Sequence, residues 1–201
     1  LQTKEEMKLH YDLAPHIYGE KILDITDLEN ENIREAILML YENNPQSPVQ
    51  ASNSQFGWQS SFDLDEHQSF KVICQYITQA ASDFCNNLKN FTFKKLILKD
   101  LWANLNFTND INWPHTHGSD IAGVYYANVN PQSGSLFLES KAMPYTDREL
   151  NKYLLENYSS KMLIPENKKI IMFDSTLLHS VLKNLSPNMR MSLSFHLDVI
   201  R

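Results

Sequence analysis

The segment "NWPHTHGSD", residues 112–120, sets His115 and His117 two apart and Asp120 three further on. In an extended backbone, residues i and i+2 point to the same side, with Cα atoms about 7 Å apart. Two neutral imidazoles on one face can converge on one metal ion. The bland alternative is a solvated loop with Pro114 and Gly118 at its bends. A third ligand from far along the chain would favour the metal, and "IIMFDSTLLHSVLKN" offers His179 directly after a tight "DST" turn. On its own, His179 would read as structural.

The residues downstream give His179 a context. Arg190 comes eleven residues later, in "RMSLSFHLDV", and Ser192 stands two beyond it on the same side of an alternating strand. A metal-binding histidine with an inward arginine one hairpin later suits a 2-oxoglutarate site. The arginine can fork onto the far carboxylate of that diacid, and Ser192 can add a hydrogen bond.

These residues need elements to hold them. "DLENENIREAILMLYE" reads as a helix over 27–42, capped by Asp27, with Ile33, Ile37, Leu40 and Tyr41 on one face. "DEHQSFKVICQYITQAASDFCNNLKN" carries Phe70, Ile73, Cys74, Ile77, Ala81, Phe84 and Leu88 at helical spacing and reads as the longest helix. From Phe91 the period changes to two. Leu101, Ala103, Leu105 and Phe107 alternate with Trp102, Asn104 and Asn106. The short strands "GVYYANV", "GSLFLES", "KKIIMFD", "HSVLKN" and "RMSLSFHLDV" come next, with a third helix, "TDRELNKYLLENY", whose Thr146 and Glu149 have capping-box spacing. Helices and then many short strands point to an α+β, mainly β fold, with helices packed on an antiparallel sandwich or barrel. In the last strand, Arg190, Ser192, Ser194, His196 and Asp198 share one side, and Met191, Leu193, Phe195, Leu197 and Val199 share the other. The apolar row is expected against the helices, and the polar row faces either water or a polar barrel interior; Trp102, Asn104 and Asn106 pose the same choice.

The chain has 201 residues, 42% hydrophobic and 21% charged, which suits one domain over 1–201. Its helical part is expected over about 1–90 and its strand-rich core over about 91–201. The net charge is −6, with no Lys/Arg block, so no nucleic-acid partner is expected. No apolar run reaches the ~20 residues that cross a bilayer, and no membrane association is expected. The charged opening "LQTKEEMKLH" lacks the apolar core of a signal peptide. Cys74 and Cys85 would stand roughly 16 Å apart on one helix, too far for a disulfide. Both read as core thiols in a reducing compartment, and a cytoplasmic location is expected.

The stretches "SNSQFGWQS", "LWANLN", "HTHGSDIAGVYYANV", "SGSLFLES" and "IIMFDSTLLHSVLKNLSPNMRMSLSFHL" together resemble the Fe(II)- and 2-oxoglutarate-dependent oxygenases. The nearest likeness is to a bacterial and phage jelly-roll branch of that superfamily. The resemblance spans most of residues 50–197, in the right order. It implies a double-stranded β-helix (jelly roll) with packing helices from the N-terminal half. It also implies Fe(II), 2-oxoglutarate and O2, and usually hydroxylation with release of succinate and CO2. The residues it carries over are the first histidine of the motif, His115, the distal His179 and the cosubstrate-binding Arg190.

One position departs from the pattern. Most of that superfamily has HxD or HxE, giving two histidines and a carboxylate; here the third motif residue is His117. Three arrangements stand: iron on His115, His117 and His179; Asp120 bent back to supply the carboxylate; or His115 and His179 alone, with His117 behind them. Strand phase favours the first. Asn104, Asn106 and Tyr126 are expected to line the cosubstrate or substrate pocket. Trp58 and Gln59 read as residues over the barrel mouth, with a plain core place as the alternative for Trp58, and His10, His16, His67 and His196 receive no role. Lys141 to Lys161 reads as a lid or a homodimer contact. The substrate, a small molecule or a protein side chain, is not encoded in any motif. The rival functions are a cupin-like metal-binding protein or isomerase, and a jelly-roll module that has lost its metal.

Overall fold

The computed structural model describes residues 6–11, 13, 16–48, 54, 55, 57–140 and 160–201. Two sheets with antiparallel strand pairing form the core. The larger has seven strands in the order β1 (Lys8–His10), β2 (Tyr18–Ile22), β10 (Lys169–Asp174), β7 (Ile121–Asn128), β12 (Arg190–Ile200), β5 (Lys95–Asn106) and β4 (Trp58–Gln59). The smaller has five, in the order β3 (Ser54–Gln55), β6 (Ile111–His115), β11 (Leu178–Val181), β8 (Leu136–Glu139) and β9 (Ser160–Leu163). Among the described residues, two α-helices, α1 (Asp27–Asn43) and α2 (Lys71–Asn86), accompany them. This is the expected mainly β jelly roll with packing helices.

The pleat of the larger sheet separates two environments. On one side Leu101, Ala103 and Leu105 of β5, Tyr125 of β7, and Leu193 and Phe195 of β12 join Ile33, Ile37, Ile73, Ile77, Ala81 and Phe84 of the helices in one apolar core. On the other side a smaller apolar cluster fills part of the space between the sheets, with Ala122, Tyr126 and Phe173 from the larger and Leu136, Leu138 and Leu163 from the smaller. The polar residues of β5 and β12 share this second side. The alternation read from the sequence therefore holds on both strands.

Several details differ from the sequence expectation. Helix α1 is capped by Thr26 and not Asp27: the Thr26 hydroxyl accepts from Glu29 N–H, and the Glu29 carboxylate accepts from Thr26 N–H. This is a reciprocal capping box one residue upstream. The long helical stretch is divided. Two short 3₁₀ turns, Leu64–Glu66 and Gln68–Phe70, precede α2, which is one residue shorter than α1. The first 90 residues also supply β1 to β4, four short strands with too few residues to set up a readable period. Cys74 and Cys85 are free thiols, and burial pushes each up to about 11. The third helix, with Thr146 and Glu149, and most of the 141–161 segment lie outside the described residues. Among the described residues, no helix is long and apolar enough to cross a membrane.

One close approach locks the central strands. Gly123 of β7 sits opposite Phe195 of β12. A Cβ at Gly123 would lie 2.3 Å from Phe195 Cζ and 2.7 Å from Ile171 O. Two neighbouring strands therefore crowd this position. Gly123→Ala should destabilise the fold by about 1–3 kcal/mol, the usual range for overpacking a core. Urea denaturation measures this, and an unchanged midpoint would show that the Phe195 ring moves aside freely.

Candidate metal centre

His115 ends β6 and His179 is the second residue of β11, and the two are paired directly across these strands. The register slips between His179 and Val181, next to Pro114. A proline has no N–H to give a ladder, so a slip at this point is the physical consequence. This proline hid β6 in the sequence. His117 lies on the connection to β7. Its N–H donates to Ser175 O at 2.9 Å, while the Ser175 hydroxyl donates to His117 O and Ser119 O. Ser175 is the middle of the "DST" turn, which Asp174 closes by accepting from Thr176 N–H and hydroxyl. The turn before one histidine thus anchors the loop that carries another.

The ring nitrogens of His115, His117 and His179 all lie within 4.8 Å of one another, the one such group of metal-type ligands among the described residues. His115 Nδ1 is 2.7 Å from Trp113 O, and His179 Nδ1 is 2.9 Å from Leu177 O. A carbonyl can only accept, so both rings carry the proton on Nδ1 and present Nε2 as a lone pair. His179 Nε2 is 3.1 Å from His117 Nε2. Two lone pairs at that distance repel unless a proton or a metal lies between them. Two metal–nitrogen bonds of about 2.1 Å meeting at a right angle hold their nitrogens about 3 Å apart. Burial, and after it the neighbouring imidazoles, lowers His117 to about 2. Burial and His115 lower His179 to about 4, and burial also lowers His115. All three rings are therefore neutral near pH 7, the form that binds metal.

Asp120 does not join them. Its carboxylate accepts from Val199 N–H at 2.7 Å, and it lines a different cavity, among Phe84, Leu88 and Val199. This removes the arrangement in which Asp120 bends back to the metal. Among the described residues, no carboxylate lines the cavity that contains the three histidines.

The same wall contains Arg190, Ser192, Tyr126 and Asn104. Arg190 is 2% exposed. Its Nη1 donates to Ser133 O and Gly134 O, each at 2.9 Å, and its Nη2 donates to Asn106 Oδ1 at 2.7 Å. Gly134 has φ +85°, and a Cβ there would lie 2.1 Å from Leu182 O, so glycine is what lets this carbonyl reach the guanidinium. A guanidinium has five N–H donors. These three bonds leave Nε–H and one Nη2–H, and Nε is buried with no partner among the described residues. Burial lowers Arg190 from its ordinary value, opposed by Tyr126 and Asp110. Ser192 is paired with Tyr126 across β12 and β7, and burial pushes the Tyr126 phenol up to about 12. Asn104 is held more tightly than expected, accepting from Gln59 Nε2 at 2.8 Å and donating to Ser194 at 3.0 Å. Gln59 lines the cavity, whereas Trp58 is core, with its Nε1–H on Asn44 O.

Two contributors were not foreseen. Asn106, expected only as lining, positions the arginine. His196, given no role, lies with its ring 4.3 Å from that of His117 and its Nδ1 3.0 Å from Asp100 Oδ2. Its place in the polar row of β12, opposite Asp100 on β5, was the available signal.

Residues 100–196 match the family described as "Putative 2OG-Fe(II) oxygenase". No curated protein matches the chain in sequence. Among solved structures, a Pseudomonas putida prolyl-4-hydroxylase is similar with TM-score 0.62 and 13% identity, over 94% of this chain and 96% of that one. HygX from Streptomyces hygroscopicus, solved with nickel and 2-oxoglutarate bound, is similar with TM-score 0.64 and 11% identity, over 94% and 84%. A viral collagen prolyl hydroxylase from Paramecium Bursaria Chlorella virus-1 is similar with TM-score 0.59 and 14% identity, over 92% and 96%. At these identities the likeness establishes the shared fold.

The depressed histidines make a prediction about pH. In an unfolded chain His179 titrates near 6.5, and in the folded protein near 4. Above 6.5 it is neutral in both states and contributes nothing. Between 6.5 and about 4 the unfolded chain binds more protons, so stability falls as pH falls. The melting temperature of the metal-free protein should drop across this window, and His179→Gln should flatten part of the drop. An unaltered slope in that variant would contradict the depressed value.

Proposed function

We propose that this chain, whose core has the jelly-roll fold and the sequence signature of the Fe(II)- and 2-oxoglutarate-dependent oxygenases, is a dioxygenase that hydroxylates a small-molecule or peptide substrate. The observation that carries this reading is the pairing, in one cavity, of a three-imidazole cluster with a buried guanidinium whose Nε–H has no partner among the described residues. An unpaired donor on a buried cation is costly. A dianionic keto acid supplies both missing partners: a keto-carboxylate end for a metal and a far carboxylate for the arginine.

His115, His117 and His179 would hold the iron, and Arg190 the far carboxylate of 2-oxoglutarate, with Ser192 and Tyr126 beside it. Bound Fe(II) with O2 supplies the chemistry that decarboxylates 2-oxoglutarate to succinate and CO2 and oxygenates a substrate. The protein's own part is positioning and desolvation. Trp113 O and Leu177 O fix which nitrogen of His115 and His179 faces the ion. Asn106, Ser133 and Gly134 occupy three donors of Arg190 and leave its remaining edge for a fork onto two oxygens. Val124, Phe173 and Val181 make part of the wall apolar, which strengthens the charge pairing inside. The cupin-like alternative gives Arg190 no partner. A module that had lost its metal would have no reason to keep three neutral imidazoles converged. Hydroxylation, as in the prolyl hydroxylases of the same fold, is the finer part of the proposal.

Truncating one partner of a buried charge pair costs about 2–5 kcal/mol, and each 1.4 kcal/mol is tenfold. Arg190→Ala should therefore weaken 2-oxoglutarate binding roughly 30- to 3,000-fold while leaving iron bound, and Arg190→Lys should recover only part. Anaerobic titration of 2-oxoglutarate into the Fe(II) protein, monitored at the visible chelate band, reads each variant. Wild-type affinity in Arg190→Ala would sink the cosubstrate assignment. His179→Ala should abolish iron uptake, and a full equivalent of iron in that variant would remove His179 from the centre.

A further inference from the structure

None of the roles assigned so far uses the pair formed by Asp100 and His196. The two residues face each other across β5 and β12, and His196 Nδ1 lies 3.0 Å from Asp100 Oδ2. A carboxylate at Nδ1 fixes the ring proton there and leaves Nε2 as an acceptor. That Nε2 is buried and has no hydrogen-bond partner among the described residues. Buried polar atoms are nearly always paired, so an orphan of this kind calls for an occupant.

The surroundings say where the occupant would sit. The His196 ring lies 4.3 Å from the His117 ring at 60° and 4.8 Å from the Trp102 ring at 60°. It belongs to the same strand row as Arg190, Ser192 and Ser194, which line the cavity. It stands outside the group of three whose ligand atoms lie within 4.8 Å of one another, so it is a neighbour of the centre and not a fourth ligand. Packing alone does not ask for a histidine here, because a phenylalanine would fill the same space without leaving an orphaned nitrogen. Burial of a carboxylate does not ask for it either, since the Asp100 side chain is 34% exposed. What the pair does achieve is to bring a carboxylate within one imidazole of His117, a ligand that itself carries no charge.

We propose that the Asp100–His196 pair is an outer support of the metal centre. The His196 ring holds His117 in its ligating orientation, and its Nε2 is left free to accept a hydrogen bond from a group held at the centre. This rests on the assignment of the three histidines as metal ligands. Both residues are positioning residues that act through His117. Partners of this kind fix ligand orientation, and their loss lowers metal affinity about 10- to 100-fold.

The test is an anaerobic titration of Co(II) into the metal-free full chain, monitored by its visible absorption bands. The unsubstituted protein should take up one equivalent. His196→Phe keeps a ring in place and removes Nε2, while Asp100→Asn keeps the ring and removes the charge. Each should bind Co(II) about 10- to 100-fold more weakly and with altered bands. The double variant should be no worse than His196→Phe, because both substitutions disable one device. Melting of the metal-free proteins checks that each variant folds. Should His196→Phe not fold, Asp100→Asn decides alone. Unchanged affinity and bands in a folded His196→Phe, or in Asp100→Asn, would overturn the proposal. Failure of the unsubstituted protein to take up Co(II) would overturn the metal assignment and this support with it.

Discussion

The pairing of His179 with His115 across β11 and β6 is the constraint on which the site depends. It brings together two residues 64 positions apart in the chain, and it does so with ladder hydrogen bonds, which are insensitive to side-chain chemistry. Once that register is set, His117 has only to return over the "DST" turn, where Ser175 receives it. The slip at Pro114 and the closure of the turn by Asp174 both maintain this alignment. A one-residue shift of β11 would turn His179 to the outer face of the sheet and remove the centre altogether.

The second organising feature is electrostatic. Among the described residues, the cavity wall holds one buried cation and no carboxylate. Asp110, the buried acid that acts on Arg190 from behind, accepts from Phe107 N–H and is pushed up by burial. Three neutral imidazoles converge there without bringing negative charge. On the proposed reading, a dianionic cosubstrate would meet both an ion and the guanidinium with little opposing charge. The same lack of charge at His117 gives weight to Asp100, which reaches the ligand set through His196.

Much of this was legible in the sequence because strands state their faces in alternating residues. The rows Arg190–Ser192–Ser194 and Trp102–Asn104–Asn106 marked one polar side, open in the sequence to water or a barrel interior, and the intervening apolar residues marked the helix side. The grouping of the three histidines was legible from spacing and order, and strand phase set Asp120 apart from them, as its bond to Val199 N–H also does. The features that escaped notice did so for physical reasons. β1 and β2 have three and five residues, too few to show a period, and are defined by pairing with distant partners. Pro114 masked β6. Thr26 was overlooked as the cap because Asp27, one residue on, also has a capping side chain. His196 looked isolated because its partner Asp100 is 96 residues away and is found only through the β5–β12 register.

The central claim is that three imidazoles, with no carboxylate from the protein, hold the metal. X-ray absorption fine structure on the anaerobic Fe(II)-loaded full chain, recorded before 2-oxoglutarate is added, tests it most directly. The imidazole ring carbons give a distinct outer-shell scattering pattern that counts histidine ligands. Three imidazoles are expected, with the remaining positions filled by light oxygen donors from solvent. Two imidazoles and a protein carboxylate, with His117→Ala leaving the spectrum unchanged, would contradict the claim.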